Sequence, residues 1–402
     1  MVLPDILLVV LIATQPPALV RFVGFAILVF ASVTASAYTT GDPTIDYFIG
    51  FLLSNQILAA ICFLWIEKPL DELRYERDSK PPREMSISRR VYWAFCLDHS
   101  VRAVGWTHQV KNVPPRPRTR PGAFVGRCLL RAILNYLMAD AANTYIRAVE
   151  GFLPQSYALH SSIITAWVIA TYTMTNVQYF VLAVLCVALH LSHPEDWPDA
   201  YGRAVDAFTL RNFWGKVWHQ NLRRVVVPIG KRIAQSFGLK QGTLLSSHIQ
   251  LYTAFILSGL INSFGDAMVG WEFTGTSMPF FLIQAVAITV EDVVIALGRK
   301  LGVEPSRLTK ALGYAWVFAW GSYTFSLWRD TSVEVGWDWS AEWRLSPSRW
   351  LLQMFKGIEE AGTFSQPFHA HSVTDIPYHG EIRHVIDMNA RGLLLVRDGS
   401  CT

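Results

Sequence analysis

Arg211-Asn-Phe-Trp-Gly-Lys-Val-Trp-His-Gln-Asn-Leu-Arg-Arg224 leads, through a mixed linking segment (Val225 to His248), into Ile249-Gln-Leu-Tyr-Thr-Ala-Phe-Ile-Leu-Ser-Gly-Leu-Ile261, which closes on Asn262, Ser263 and Asp266. In the first part the aromatics Phe213, Trp214 and Trp218 alternate with the cations Arg211, Lys216, Arg223 and Arg224 beside one imidazole, His219. The second part is an apolar span. An aromatic, basic segment leading into a span suits a polar substrate handled at the membrane boundary. The plainer reading is an interfacial helix, because Trp and basic side chains also sit at headgroup depth in proteins that catalyse nothing.

The rest of the chain extends the membrane reading. Of 402 residues, 51% are hydrophobic and 16% charged, whereas soluble globular domains are about 25% charged. The apolar residues come in blocks, as spans require. The net charge of +4 is small and spread out, so the basic loops read as topology signals and not as a nucleic-acid surface. Five scattered cysteines (Cys62, Cys96, Cys128, Cys186, Cys401) without a CxxC pair imply free thiols and no zinc site or disulfide framework. No dinucleotide or Walker fingerprint is present, so no bound cofactor is expected.

In chain order, Val2 to Thr14 is a short apolar run ended by Pro16-Pro17, with neither the basic start nor the cleavage site of a signal peptide. Ala18 to Ala37 and Tyr47 to Ile66 read as spans. Residues 67 to 121 form a hydrophilic, basic loop with the proline-arginine stretch Val110 to Pro121, which cannot be helical. The positive-inside rule puts this loop in the cytosol. Phe124 to Phe152 is helical but interrupted by Arg127, Arg131, Asp140 and Arg147, which suits an interfacial or buried helix. His160 to Leu191 exceeds one bilayer thickness, and the polar cluster from Thr173 to Gln178 predicts a break into two tilted helices. Ser192 to Arg211 reads as a loop, and Phe280 to Leu297 and Leu312 to Trp328 as the last spans. The expected fold is an all-α polytopic membrane protein of about eight transmembrane helices over residues 1–330. A soluble, partly ordered tail over residues 331–402 carries His369, His371, His379 and His384 without ligand spacing.

Ionisable groups in apolar spans are functional candidates. Here they are His219, His248, Asp266, Glu291 and Asp292, with Asn262 as a neutral polar group. Asn262 and Asp266 are four apart and share a helix face, where they would polarise a hydroxyl and take its proton. Bridging two helices is the structural alternative. Glu291 and Asp292 lie at a span end, where the simpler reading is a pair facing the interface. No GxSxG elbow or Cys–His neighbour supports a covalent acyl-enzyme. General base catalysis on a lipophilic alcohol from the bilayer remains.

Phe213-Trp-Gly-Lys-Val-Trp-His219-Gln resembles the phenylalanine-tryptophan-glycine-(Arg/Lys)-x-tryptophan-histidine signature of wax synthases, in the membrane-bound O-acyltransferase superfamily. Val104-Gly-Trp106, Val110-Lys-Asn-Val-Pro114, Ser258-Gly-Leu260, Phe280 to Asp292 and Leu312 to Trp320 resemble further elements of its fungal branch, in order, over residues 91 to 330. The resemblance implies an acyl-CoA:alcohol O-acyltransferase of the endoplasmic reticulum that acetylates terpenoid, meroterpenoid or polyketide hydroxyls, with acetyl-CoA as co-substrate. It implies that Trp214, Lys216, Trp218 and Arg223, with Glu291 and Asp292, serve the alcohol and the acyl-CoA. His219, Asn262 and Asp266 would then be the catalytic group. One departure stands out: the pattern places its general-base histidine where this chain has Asn262, and an amide is no proton acceptor. His219 or Asp266 would have to serve instead. The alternatives are a terpenoid cyclase or isomerase with Asp266, Glu291 or Asp292 as the acid and no acyl-CoA, an impaired enzyme, or a non-enzymatic carrier.

Overall fold

Backbone polar groups in hydrocarbon must be satisfied within their own segment, so the apolar blocks of this chain form helices. The computed structural model describes residues 2–150, 156–335 and 346–348. Among the described residues there is no strand, only an isolated antiparallel bridge between Tyr75 and Trp106. The helices that position the site are α1 (Val2–Thr14), α2 (Ala18–Ala35), α3 (Pro43–Ile61), α4 (Ile87–His99), α5 (Pro121–Glu150), α6 (Tyr157–Ala188), α7 (Arg223–Ser236), α8 (Leu244–Val269), α9 (Met278–Lys300) and α10 (Arg307–Val335). Six of these, α2, α3, α5, α6, α8 and α9, are long and apolar enough to cross a membrane.

Two features separate these six from the expected eight. Helix α6 is continuous over 32 residues and does not break at Thr173 to Gln178. The hydroxyls of Thr171, Thr173 and Thr175 donate to carbonyls four residues back, at 3.0, 2.7 and 2.9 Å. Hydroxyls satisfied by their own helix can stay inside it and at most bend it. Helix α10 is long, and its charges lie at its ends, but its middle, Ala311 to Trp328, is rich in Trp, Tyr, Ser, Thr and Gly instead of aliphatic residues, and it is not among the six. It also runs past residue 330, where the tail was expected to begin.

The linking segment expected from Val225 to His248 is instead mostly helix, α7, followed by a turn and the first residues of α8. Pro228 lies inside α7, past its first turn, so the Arg224 carbonyl four residues back receives no helical N–H from it. Burial of Val225, Val226, Gly230 and Ala234 on one face fixes α7 to the bundle.

Two large apolar clusters stand out among the described residues, beside a smaller one of Phe124, Cys128, Phe180 and Val187 between α5 and α6. One gathers Leu8 and Ile12 of α1, Leu28 of α2, Phe63, Trp93, Trp106 and Val225. The other is aromatic, built from Trp167, Phe255, Phe280, Phe281 and Phe325 on α6, α8, α9 and α10. Helices α3 and α8 lie closest at Gly50, where an added methyl would sit 2.5 Å from the Phe264 carbonyl oxygen. Small residues at such crossings let backbones approach. Cys62, Cys96, Cys128 and Cys186 are free thiols, as expected. Ser346 and Ser348 bond the Asp140 carboxylate of α5, at 2.5 and 2.7 Å. The rest of the tail, with its histidines and Cys401, lies outside the described residues.

Candidate active site

The aromatic-basic stretch is a turn supported by side chains. Thr209 caps a short helix, Leu210–Asn212, by accepting from the Asn212 amide at 3.0 Å, and a π turn over Phe213–Val217 follows. A π turn leaves carbonyls unmatched by its own backbone, and here side chains satisfy them. Gln220 donates to the carbonyls of Trp214 (3.1 Å) and Trp218 (2.6 Å). Asn112 and Arg223 both donate to the Gly215 carbonyl, at 2.7 and 3.0 Å. The Gly202 amide donates to the Val217 carbonyl at 2.9 Å, and a methyl at Gly202 would collide with the Lys216 carbonyl. The non-helical segment with Asn112 thus packs directly on the motif.

The four cations of the stretch divide sharply. Arg211 forms a bidentate ion pair with Asp292. Arg223 donates inward to Gly215 and to Gln220 (2.8 Å). Arg224 is buried against the Leu97 and Asp98 carbonyls at 2.9 and 2.8 Å, with the Asp98 carboxylate 3.8 Å away. Lys216 alone of the four is exposed.

Glu291 is no interface residue, contrary to the simpler sequence reading. It is buried, and its oxygens accept from the amides of Leu210 (2.7 Å) and Arg211 (3.1 Å) and from the Trp316 indole (3.0 Å). Two turns earlier on α9, Gln284 accepts from the indoles of Trp214 (3.3 Å) and Trp320 (3.0 Å). Helix α9 therefore holds the motif by two polar residues on one face. Trp214 is ringed by Phe255, Phe280, Phe325 and Trp218, with centroids 5.8, 6.1, 6.2 and 5.8 Å away. These spacings are those of edge-to-face and offset aromatic contacts.

His219 lies at the far end of the motif, between the rings of Trp218 (5.4 Å) and Tyr201 (5.7 Å). Its Nδ1 is sealed from solvent and has no hydrogen-bond partner among the described residues. Burial holds its pKa down to about 4, and the Arg102 charge pushes the same way. His108 shares this state, with both ring nitrogens sealed and unpartnered and burial lowering its pKa to about 4.

Asn262 and Asp266 occupy a different part of α8. The Tyr47 hydroxyl donates to the Asn262 side-chain oxygen at 2.6 Å, tying α3 to α8, while the Asn262 amide donates to the Ser258 carbonyl at 2.7 Å. Asp266 accepts from the Ser277 amide (2.9 Å) and hydroxyl (2.7 Å), anchoring the start of α9. The helix-bridging alternative is what the geometry shows for both residues. No hydrogen bond joins His219 to either one among the described residues. His248 stands 3.8 Å from Asp292, beside Arg211. Asp5, Asp98 and His99 bring three possible ligand atoms within 4.8 Å. Gln56 already donates to Asp5 at 3.2 Å, and Arg224 faces Asp98.

Sequence reasoning passed over Tyr47, Tyr201, Gln284 and Asn112. Gln284 carried a usable signal, a polar group inside an apolar span. Tyr47 carried none, because its partner is 215 residues away.

The membrane bound O-acyl transferase family matches residues 197–283, which include the motif, all of α8 and the start of α9. Acetyltransferase ple2 of Rhodocybe pseudopiperita is 34% identical over 342 residues, 83% of this chain and 90% of its own. Acetyltransferase eriL of Hericium erinaceus is 32% identical, over 74% of this chain and 81% of its own. O-Mevalon transferase macI of Penicillium terrestre is 26% identical over 69% and 72%. No solved structure matches.

Proposed function

Because this chain belongs to the membrane-bound O-acyltransferase family and is an acyltransferase, we propose that it acetylates a hydroxyl of a lipophilic secondary metabolite, a terpenoid, meroterpenoid or polyketide, with His219 as general base. The observation that carries this reading is the His219 ring. At neutral pH it is uncharged, and because Nδ1 is sealed from solvent, the lone pair open to an incoming hydroxyl is that of Nε2, with the ring proton on Nδ1. The base takes the alcohol proton as the oxygen attacks the thioester carbonyl. The carbon–sulfur bond then breaks, and the imidazolium returns the proton to the departing coenzyme A thiolate.

The neighbouring groups have matching roles. Trp214, Trp218 and the phenylalanines around them supply an apolar cage for the acceptor. Lys216, exposed at the turn, meets the phosphates of acetyl-CoA from the cytosolic side. Arg223, Glu291 and Asp292 hold the turn in shape through bonds within the chain. Asn262 and Asp266 fix the helices that wall the site. The carboxylates of Asp266, Glu291 and Asp292 all have chain donors on their oxygens, which favours acyl transfer over acid-driven cyclisation. The relatives named acetyltransferases favour acetyl as the group moved. We place the enzyme in the endoplasmic reticulum, with the basic loop in the cytosol where acetyl-CoA is available.

The test separates the two roles. His219→Ala should lower kcat by about 10²–10⁴, and Lys216→Ala should raise KM for acetyl-CoA with kcat kept. Wild-type turnover in His219→Ala refutes the assignment of the base.

A further inference from the structure

Away from the aromatic motif, a cavity of about 200 Å³ opens where α2 begins and the π turn after α3 ends. Arg21, Lys68 and Arg83 line it, with Glu67, Asp71 and Trp65. Arg21 donates to the Leu64 carbonyl at 2.5 Å, yet its Nε is sealed from solvent with no hydrogen-bond partner among the described residues. Asp71 is taken up by Arg83 in a bidentate pair. Glu67 is weakened as a counter-charge, since burial pushes its pKa up to about 7. The excess charge around the cavity is therefore positive, carried by Arg21 and Lys68.

A second, apolar groove starts one residue further along α2. It is shallow and open, formed by Phe22, Phe25, Ala26, Val29, Phe30 and Val33 on one face of α2 alone. The two features meet at Phe25 and Trp65, whose rings stand edge to face at 4.8 Å. From Phe22 to Val33 a helix rises about 16 Å. That is half of the ~30 Å hydrocarbon core, the depth of one leaflet. The exposed Trp65 indole marks the headgroup level. The basic segment that follows Glu67 puts this end of α2 at the cytosolic leaflet.

We propose that this cationic cavity and the α2 groove together bind one anionic glycerophospholipid of the cytosolic leaflet. Its phosphate and acidic headgroup face Arg21 and Lys68, and one acyl chain lies along Phe22 to Val33. A phosphate from coenzyme A would share the headgroup chemistry but would leave the groove empty.

Native mass spectrometry of the full chain in dodecyl maltoside, titrated with dioleoyl phosphatidylserine or dioleoyl phosphatidylcholine, tests this. The serine lipid should bind at least about fivefold tighter, with Lys68→Gln and Arg21→Gln each weakening it about fivefold, the effect of ~1 kcal/mol per cation near a charged lipid. Lys68 and Ala26 are both exposed, so their variants keep the test valid should Arg21→Gln fail to fold. Ala26→Trp, which fills the groove without touching charge, should also weaken the serine lipid. Coenzyme A at millimolar concentration should not displace it. Equal affinity for the two lipids, unchanged binding in Lys68→Gln and Ala26→Trp, or displacement by coenzyme A would each overturn the proposal.

Discussion

His219 combines two properties that pull in opposite directions. Its burial keeps the ring neutral and ready to accept a proton, but the same burial makes it a weak base. The pH profile of kcat/KM should therefore stay flat down to about pH 5 and fall near the depressed value of about 4, where an ordinary imidazole would already fail near 6.5. Stability follows with a definite sign. His108 and His219 both have folded pKa values below the ordinary 6.5, so between about 6.5 and 4 the unfolded chain binds more protons. Glu67, pushed up to about 7 by burial, works the other way, so the histidine contribution is read as a difference: from pH 7 to 4.5 the thermal midpoint in detergent should fall further in the wild type than in a His108→Asn/His219→Asn variant. An equal change in both would count against the buried, neutral state of the two rings. Asn262 makes a third expectation at this scale. Held between the Tyr47 hydroxyl and the Ser258 carbonyl, it serves packing, so Asn262→His should give no gain in acyl transfer. A gain would mean that the base belongs on α8. The sequence exposed His219, Asn262 and Asp266 as polar groups in apolar or aromatic surroundings. It could not say that Asn262 and Asp266 are spent on Tyr47 and Ser277, because those partners follow from tertiary packing alone.

Among the elements, periodicity and span length were the readable quantities. The runs at Ala18, Tyr47 and Phe280 appear as α2, α3 and α9 within a few residues of where apolar character begins and ends. Helix α6 was misread because its threonines look like a break when counted as polar, yet their hydroxyls return to their own helix. Helix α7 was missed because Pro228 and its cations mask an apolar face that only the bundle uses. Close crossings are also invisible in sequence. At Gly50 the α3–α8 approach leaves no room for a side chain, so Gly50→Val should destabilise the bundle by about 1–3 kcal/mol, the usual cost of overpacking. A melting curve of that variant, unshifted from wild type, would show that the helices separate freely. Gly202 acts at shorter range. Gly202→Ala should push the Lys216 carbonyl away and lower activity more than it lowers the melting point.

For the whole molecule, the proposed acetylation requires the basic loop over residues 67–121 to lie on the side where acetyl-CoA is available. Its topology can be tested on sealed microsomes, where trypsin added outside should cut within residues 110–120 without detergent. Protection of that segment would put the basic loop in the lumen and separate the site from acetyl-CoA. The most direct measurement of the central claim is product mass. Microsomes carrying the wild-type chain or His219→Ala are fed a panel of terpenoid alcohols, with and without trideuterated acetyl-CoA. The wild type should yield a labelled acetyl ester only when donor is present, and the variant should lose that ester. An unlabelled product isobaric with its precursor, formed without donor, would contradict that claim.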